Sequence, residues 1–193
     1  MEFNLQTGEW IFAPKQATVT PTTVTIVTEP GTDLWQRTYY GFQNDNAPAL
    51  LFKTTADFSF TVKTHFQTQG QYDQCGLIIY QNSENWCKAS SEYETADFQR
   101  LGSVVTNYGY SDWATSDISA EIQEIWYRLS RRGQDFQFEY SLNGTKFQQM
   151  RIFHLFDAEE TIRFGVYACS PKQSSFSATF SDFHFGACLW EQH

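Results

Sequence analysis

Glu92 and Glu94, two residues apart, and the mixed run that precedes them are where this 193-residue chain first offers side chains for chemistry. In an extended strand, residues i and i+2 share a face at roughly 7 Å between α-carbons. Glu92 and Glu94 would then form a carboxyl pair of the kind that glycoside hydrolysis places on either side of a sugar. Trp86, Lys88 and Ser90 precede Glu92 at period two, so an aromatic, a cation, a hydroxyl and a carboxylate fall on one face. Lysine and glutamate are rarely fully buried without partners, so such a face must look toward solvent or toward a ligand. Aromatic rings suit the C–H surfaces of sugars, and planar or charged polar groups suit their hydroxyls. On that logic Trp86, Lys88, Glu92, Arg128 and Gln74 would line a groove, with Asp112 and Trp113 at its edge and Tyr40 as a further platform beside Tyr39 and Tyr110. The competing role for each ring is core packing, and Lys88 with Glu92 or Arg128 could equally be a structural ion pair.

Other chemistries find fewer residues. His65, His154, His184 and His193 are scattered, without the spacing of a metal site. No nucleophile elbow and no phosphate loop occurs, and nothing nominates a base for Cys75 or Cys169. Asn44-Asp45-Asn46 brings one carboxylate to a calcium ion and reads better as a turn. No metal or cofactor is expected. Cys75, Cys87, Cys169 and Cys188 form no Cys-x-x-Cys pair and sit in or beside apolar runs, which reads as buried thiols in a reducing cytoplasm. The net charge of −9 disfavours phosphate backbones and anionic membrane surfaces, so neither nucleic acid nor membrane is an expected partner. No run approaches the 18 or so apolar residues of a membrane span. Residues 1–14 carry Glu2 and Glu9 and no signal-like apolar stretch.

The elements that must position these residues are strands. Aromatic residues make up 18% of the chain, and alternation dominates after residue 57. Phe58, Phe60, Val62 and Phe66 oppose Ser59, Thr61, Lys63 and His65; Cys75, Leu77 and Ile79 oppose Gly76, Ile78 and Tyr80; Cys87, Ala89, Ser91 and Tyr93 oppose the mixed face. Further strands are expected at Val24–Thr28, Trp126–Ser130, Phe136–Tyr140, Lys146–Arg151, Ile162–Cys169 and Phe176–Phe185. Asn143-Gly144 marks a hairpin turn, Asn107–Asp112 reads as a loop or a plain hairpin turn, and Asp117–Glu124 reads as a short helical turn. About a dozen strands with no linker make one domain over residues 1–193, an all-β, two-sheet antiparallel sandwich whose concave sheet would hold the groove. Pairing of edge strands would allow a homodimer.

Several stretches together resemble a known family. They are Asp33–Phe42, Tyr72–Ile78, Asn85–Lys88, Ser103–Asn107 leading into Gly109–Trp113, Arg128–Gly133, Tyr140–Gly144 and Gly165–Pro171. The chain is similar over roughly residues 30–185 to the short concanavalin A-like proteins of unknown function that include a fungal regulator of enolase, and to the C-terminal accessory domain of some β-xylosidases. The resemblance implies a concanavalin A-like jelly roll; it implies no reaction, since that fold hosts lectins, hydrolases and inert modules alike. Related jelly-roll hydrolases carry Glu-x-Asp-x-Glu on one strand. Here Ala96 takes the third position and Asp97 fits only a bulged spacing, so the triad is incomplete. The expected function is a non-catalytic cytoplasmic module binding a carbohydrate or sugar-derived metabolite. The alternatives are a weak glycoside hydrolase or lyase using Glu92 and Glu94, and a protein-interaction module regulating a metabolic enzyme.

Overall fold

A computed structural model describes residues 3–191; Met1, Glu2, Gln192 and His193, the last of the scattered histidines, lie outside the described residues. Two seven-stranded antiparallel sheets pack face to face. The front sheet runs β1 (Glu9–Ile11), β6 (Ala49–Thr54), β15 (Ile162–Cys169), β8 (Gln74–Asn82), β9 (Asn85–Tyr93), β10 (Phe98–Asn107), β11 (Tyr110–Ser119). The back sheet runs β14 (Gln148–His154), β13 (Asp135–Ser141), β12 (Glu124–Arg132), β7 (Phe58–Phe66), β16 (Ser177–Gly186), β3 (Val24–Val27), β2 (Gln16–Val19). A separate pair, β4 (Leu34–Gln36) and β5 (Gln43–Asp45), forms a small hairpin.

The alternation read from the sequence decides what fills the space between the sheets. Phe58, Phe60 and Val62 of β7 and Phe136 and Phe138 of β13 meet Leu77 and Ile79 of β8, Cys87 and Ala89 of β9, and Phe164 and Val166 of β15. Phe164 is the hub, with ring centroids 4.5 Å from Phe58 and 5.0 Å from Phe60. Each such fully buried ring contributes about 1.5–3 kcal/mol relative to exposure. A second, smaller apolar cluster lies on the outer face of the front sheet, where Leu34 of the hairpin packs with Ile78, Tyr80, Trp86, Val104 and Tyr167.

Local expectations fared unevenly. The strand at Ile162–Cys169 has the expected bounds. The Asn107–Asp112 stretch is a plain hairpin: Asn107 pairs with Tyr110 across Tyr108 and Gly109, both at positive φ (50° and 74°), the twist that two-residue hairpins require. The expected helical turn at Asp117–Glu124 is instead the end of β11, a short turn and the start of β12. Ile118 and Ile122, four apart, have a helical spacing, but Ile118 reaches the core from the end of β11 and Ile122 from the turn that follows it. Among the described residues the one helix is a 3-10 turn at Leu5–Thr7. Asn44-Asp45 is strand, not turn: Asn44 donates to Asp33, and Asp45 accepts from the Tyr80 hydroxyl. The connection after β13 is longer than a tight turn, with Asn143 Oδ1 accepting from the Thr145 and Lys146 amides, and β14 starts at Gln148.

Candidate functional site

The period-two alternation of β9 turns Trp86, Lys88, Ser90 and Glu92 to the outer face of the front sheet while Cys87 and Ala89 enter the core. Register supplies their neighbours. Glu92 stands between Gln74 of β8 and Arg100 of β10; Lys88 stands between Ile78 and Val104; Ser90 stands between Gly76 and Gly102. Two glycines flanking a serine leave three adjacent strands nearly bare at that point, so the sheet surface sinks there. Gly76 is also a point of close backbone approach, where a Cβ would meet the Ala89 carbonyl at 1.9 Å. The resulting cavity has a volume of about 540 Å³, within the range of small-molecule sites.

Its floor is a closed hydrogen-bond network. The Lys88 ammonium, buried, donates to Gln74 Oε1 (2.8 Å) and to the Leu34 carbonyl (3.0 Å), and lies 3.7 Å from Asp33 Oδ1. It also sits 5.7 Å from the ring centroids of both Trp86 and Tyr167. Gln74 Oε1 accepts a second bond from the Tyr167 hydroxyl (3.0 Å), which fixes the amide so that Nε2 donates to Glu92 Oε2 at 2.8 Å. Lys88 therefore does two things at once: it ties the hairpin to the sheet through Leu34 and, through Gln74, it aims Glu92.

The walls are aromatic. Trp35 and Tyr40 of the hairpin, Phe42 stacked on Tyr40 at 5.4 Å, Tyr72, and Trp113 of β11 all line the cavity. Trp35 meets Trp113 edge-on at 6.5 Å and Tyr40 at 5.4 Å. Tyr39 and Tyr72 hold φ of 61° and 72°. Non-glycine residues in that region cost of order 1–3 kcal/mol and gather at binding sites.

Electrostatics separates the two glutamates. Burial pushes the Glu92 carboxyl up to about 7, with the neighbouring charges of Asp33 and Glu94 adding to the rise and Lys88 and Arg100 opposing it. Glu94 is held by Arg100, whose Nε lies 2.9 Å from Oε1, and by Gln71 Nε2 at 3.2 Å. The Arg100 guanidinium also lies 5.4 Å from the Trp113 ring centroid. The site thus offers stacking surfaces, a hydroxyl, and one carboxyl that exchanges its proton near neutrality. Among the described residues no group of three or more metal-ligating side chains occurs.

Of the residues named from sequence, the structure brings Gln74, Lys88, Glu92, Trp113 and Tyr40 to this one cavity. It does not bring three others. Trp86 is fully buried beneath the hairpin, its indole N–H donating to the Ser83 carbonyl; a lid that comes from 50 residues earlier is invisible in strand periodicity. Asp112 neighbours Trp113 and so faces the opposite side of β11, where it pairs with Arg151 of the back sheet. Arg128 belongs to β12 of the back sheet, pairs with Glu139 at 3.3 Å and lies 3.7 Å over the Phe147 ring. A polar strand face says that it is outward, not which sheet carries it, and that corrects the placement of Arg128. Tyr110 is exposed beside Arg37, outside the lining. Trp35, Phe42, Tyr72 and Arg100 join the lining without any mark in strand alternation; the glycines at mid-strand, Gly76 and Gly102, are the sequence signal for the depression they surround.

The chain belongs to the family described as protein of unknown function DUF1349, whose model matches residues 10–188. It is 28% identical over 185 residues to Regulation of enolase protein 1 of Saccharomyces cerevisiae, covering 96% of this chain and 92% of that one. A crystal structure of a functionally unknown protein from Saccharomyces cerevisiae superposes with a TM-score of 0.90 at 27% identity, over 97% of this chain and all of the other. A xylan β-1,4-xylosidase from Bacillus halodurans shares the fold at TM-score 0.66 and 14% identity, over 84% of this chain and 32% of the enzyme. The two sheets form the concanavalin A-like jelly roll that the resemblance implied.

Proposed function

We propose that this member of the DUF1349 family is a non-catalytic binding module that takes a carbohydrate or sugar-derived metabolite in the cavity over β9. One observation carries the reading: the rings of Trp113, Trp35 and Tyr40 face the Gln74–Glu92–Ser90 row across a cavity of about 540 Å³. Rings for C–H faces and fixed polar groups for hydroxyls are what a sugar needs from a site. The absence of a reaction is supported by Glu94, which is occupied by Arg100 and Gln71, so that Glu92 lacks a free second carboxylate. A cytoplasmic setting is supported by the four free thiols.

A thermal-shift screen against mono- and oligosaccharides tests it. A ligand at about 100 times its Kd adds about 2.7 kcal/mol, and Trp113→Ala and Glu92→Ala should each abolish that gain. A flat screen across neutral and acidic sugars removes the reading. Reducing-end release from xylan or β-glucan would instead favour a hydrolase using Glu92 with Glu94. The name of the yeast relative favours a second reading, regulation of a metabolic enzyme, which reproducible co-purification of such an enzyme with the native protein would support.

A further inference from the structure

A row of rings runs from the cavity to open solvent. Trp113 and Trp35, both half-buried, meet edge-on with centroids 6.5 Å apart. Trp35 meets Tyr40 at 5.4 Å, and Tyr40 meets Tyr39 at 5.1 Å. Exposure rises along the row, to 54% at Tyr40 and 94% at Tyr39. Phe42 backs Tyr40 in a stack at 5.4 Å. Trp113, Trp35, Tyr40 and Phe42 line the cavity, whereas Tyr39 stands outside it.

The fold gains little from the Tyr39 ring and holds it out against a backbone preference. Arg37 and Tyr39 sit at φ of 56° and 61°, a region that a Cβ disfavours. Cross-bracing keeps the hairpin tip in that shape. The Gly41 N–H donates to the Arg37 carbonyl at 2.7 Å, and the Trp35 indole N–H donates to the Thr38 carbonyl at 3.1 Å. The Arg37 guanidinium donates to Glu84 Oε1 at 3.0 Å and to the Gly109 carbonyl at 2.8 Å. A tyrosine presented on a braced loop is preorganised contact surface, because it loses little freedom when a ligand stacks on it. A single exposed ring is ordinary; adjacent exposed rings continuous with a cavity mark a binding surface.

We infer that the ligand is an oligosaccharide, one unit of which fills the cavity while the following units leave it over Tyr40 and Tyr39. The inference rests on the sugar-binding reading above and adds an outer subsite to it. A sugar chain presents C–H faces at successive units and can use ring after ring, whereas a monosaccharide in the cavity leaves Tyr39 without a partner. Continuity of the row with the cavity favours such a chain over a protein as the occupant of these rings.

The test is calorimetric titration of the full chain with xylose, glucose and mannose and with their β-1,4-linked oligomers of two to six units. In any series that binds, affinity should rise with length, by about tenfold or more over the series. Tyr39→Ala should remove about fivefold or more from the longest member and clearly less from the shortest that binds, with the urea midpoint reporting that the variant is folded. Trp113→Ala should weaken every member. Affinity independent of length, or a folded Tyr39→Ala variant that keeps the whole gain with length or loses equally at every length, overturns the inference and leaves sugar binding standing. No binding by any member of any series overturns both.

Discussion

Replacing Glu92 by glutamine should stabilise the protein, and only at higher pH. The unfolded carboxyl titrates near 4.5, whereas burial raises the folded one to about 7. Between these values the folded chain holds a proton that the unfolded chain has released. Stability contributed by this group is therefore present below about 4.5, falls as pH rises through the window, and is gone above about 7. At about 1.4 kcal/mol per pH unit, the loss is about 3 kcal/mol. Glutamine has the same shape without the charge, and its Oε1 can accept the Gln74 Nε2 bond that Glu92 Oε2 accepts at 2.8 Å. Glu92→Gln should therefore match the parent chain near pH 5 and exceed it by about 3 kcal/mol at pH 8, roughly 6–12 °C in Tm for a domain of this size. Urea unfolding at both pH values, followed by tryptophan fluorescence, measures it. Titrations remote from Glu92 occur in both proteins and cancel in the difference. An equal difference at the two pH values, or a variant less stable at pH 8, would refute the reasoning and mean that the Lys88 charge outweighs burial at this carboxyl.

The other predictions concern the supports of the site. Lys88→Met keeps the stem but removes the ammonium that holds Leu34, Gln74 and Asp33; it should cost about 3 kcal/mol in urea unfolding, and a loss under 1 kcal/mol would show that the network is incidental. Gly109→Ala places a side chain at φ 74° and a Cβ 1.9 Å from Arg37 Nη1, disturbing the Arg37–Glu84 pair. It should cost about 1–2 kcal/mol, and an unchanged Tm would argue against the turn geometry. Alkylation of the native protein by iodoacetamide should label Cys188 alone, since Cys75, Cys87 and Cys169 are buried and burial holds their thiols up. Mass spectrometry showing a second modified thiol before unfolding would contradict that.

The sandwich was legible because its two faces differ chemically at period two: Cys87 and Ala89 against Lys88 and Ser90 leave one orientation for β9, and Phe58, Phe60 and Val62 leave one for β7. What periodicity cannot say is which sheet a strand joins. Arg128 and Glu92 sit on equally mixed faces, yet the ladder of β12 to β7 puts Arg128 on the back of the molecule. Nor can it say what lies over a face. Trp86 and Glu92 share one side of β9, but Leu34 and Trp35 descend on the tryptophan end and leave the glutamate end open, so the same strand face is core at one end and site at the other.

That division depends on Lys88, which stands at the boundary. Toward Trp86 it holds the hairpin down through a backbone carbonyl, a bond indifferent to the side chain at position 34. Toward Glu92 it works through Gln74, whose amide has Lys88 and Tyr167 on its oxygen and Glu92 on its nitrogen. A hydrophobic residue at position 88 would extend the apolar cluster, yet it would leave the Gln74 amide held on its oxygen by the Tyr167 hydroxyl alone, so that a flip presenting that oxygen to the Glu92 carboxylate becomes easier. The buried cation thus orients as well as stabilises: well-packed apolar residues in place of both Lys88 and Asp33 can match the pair in free energy, but they cannot fix which end of an amide faces an acid.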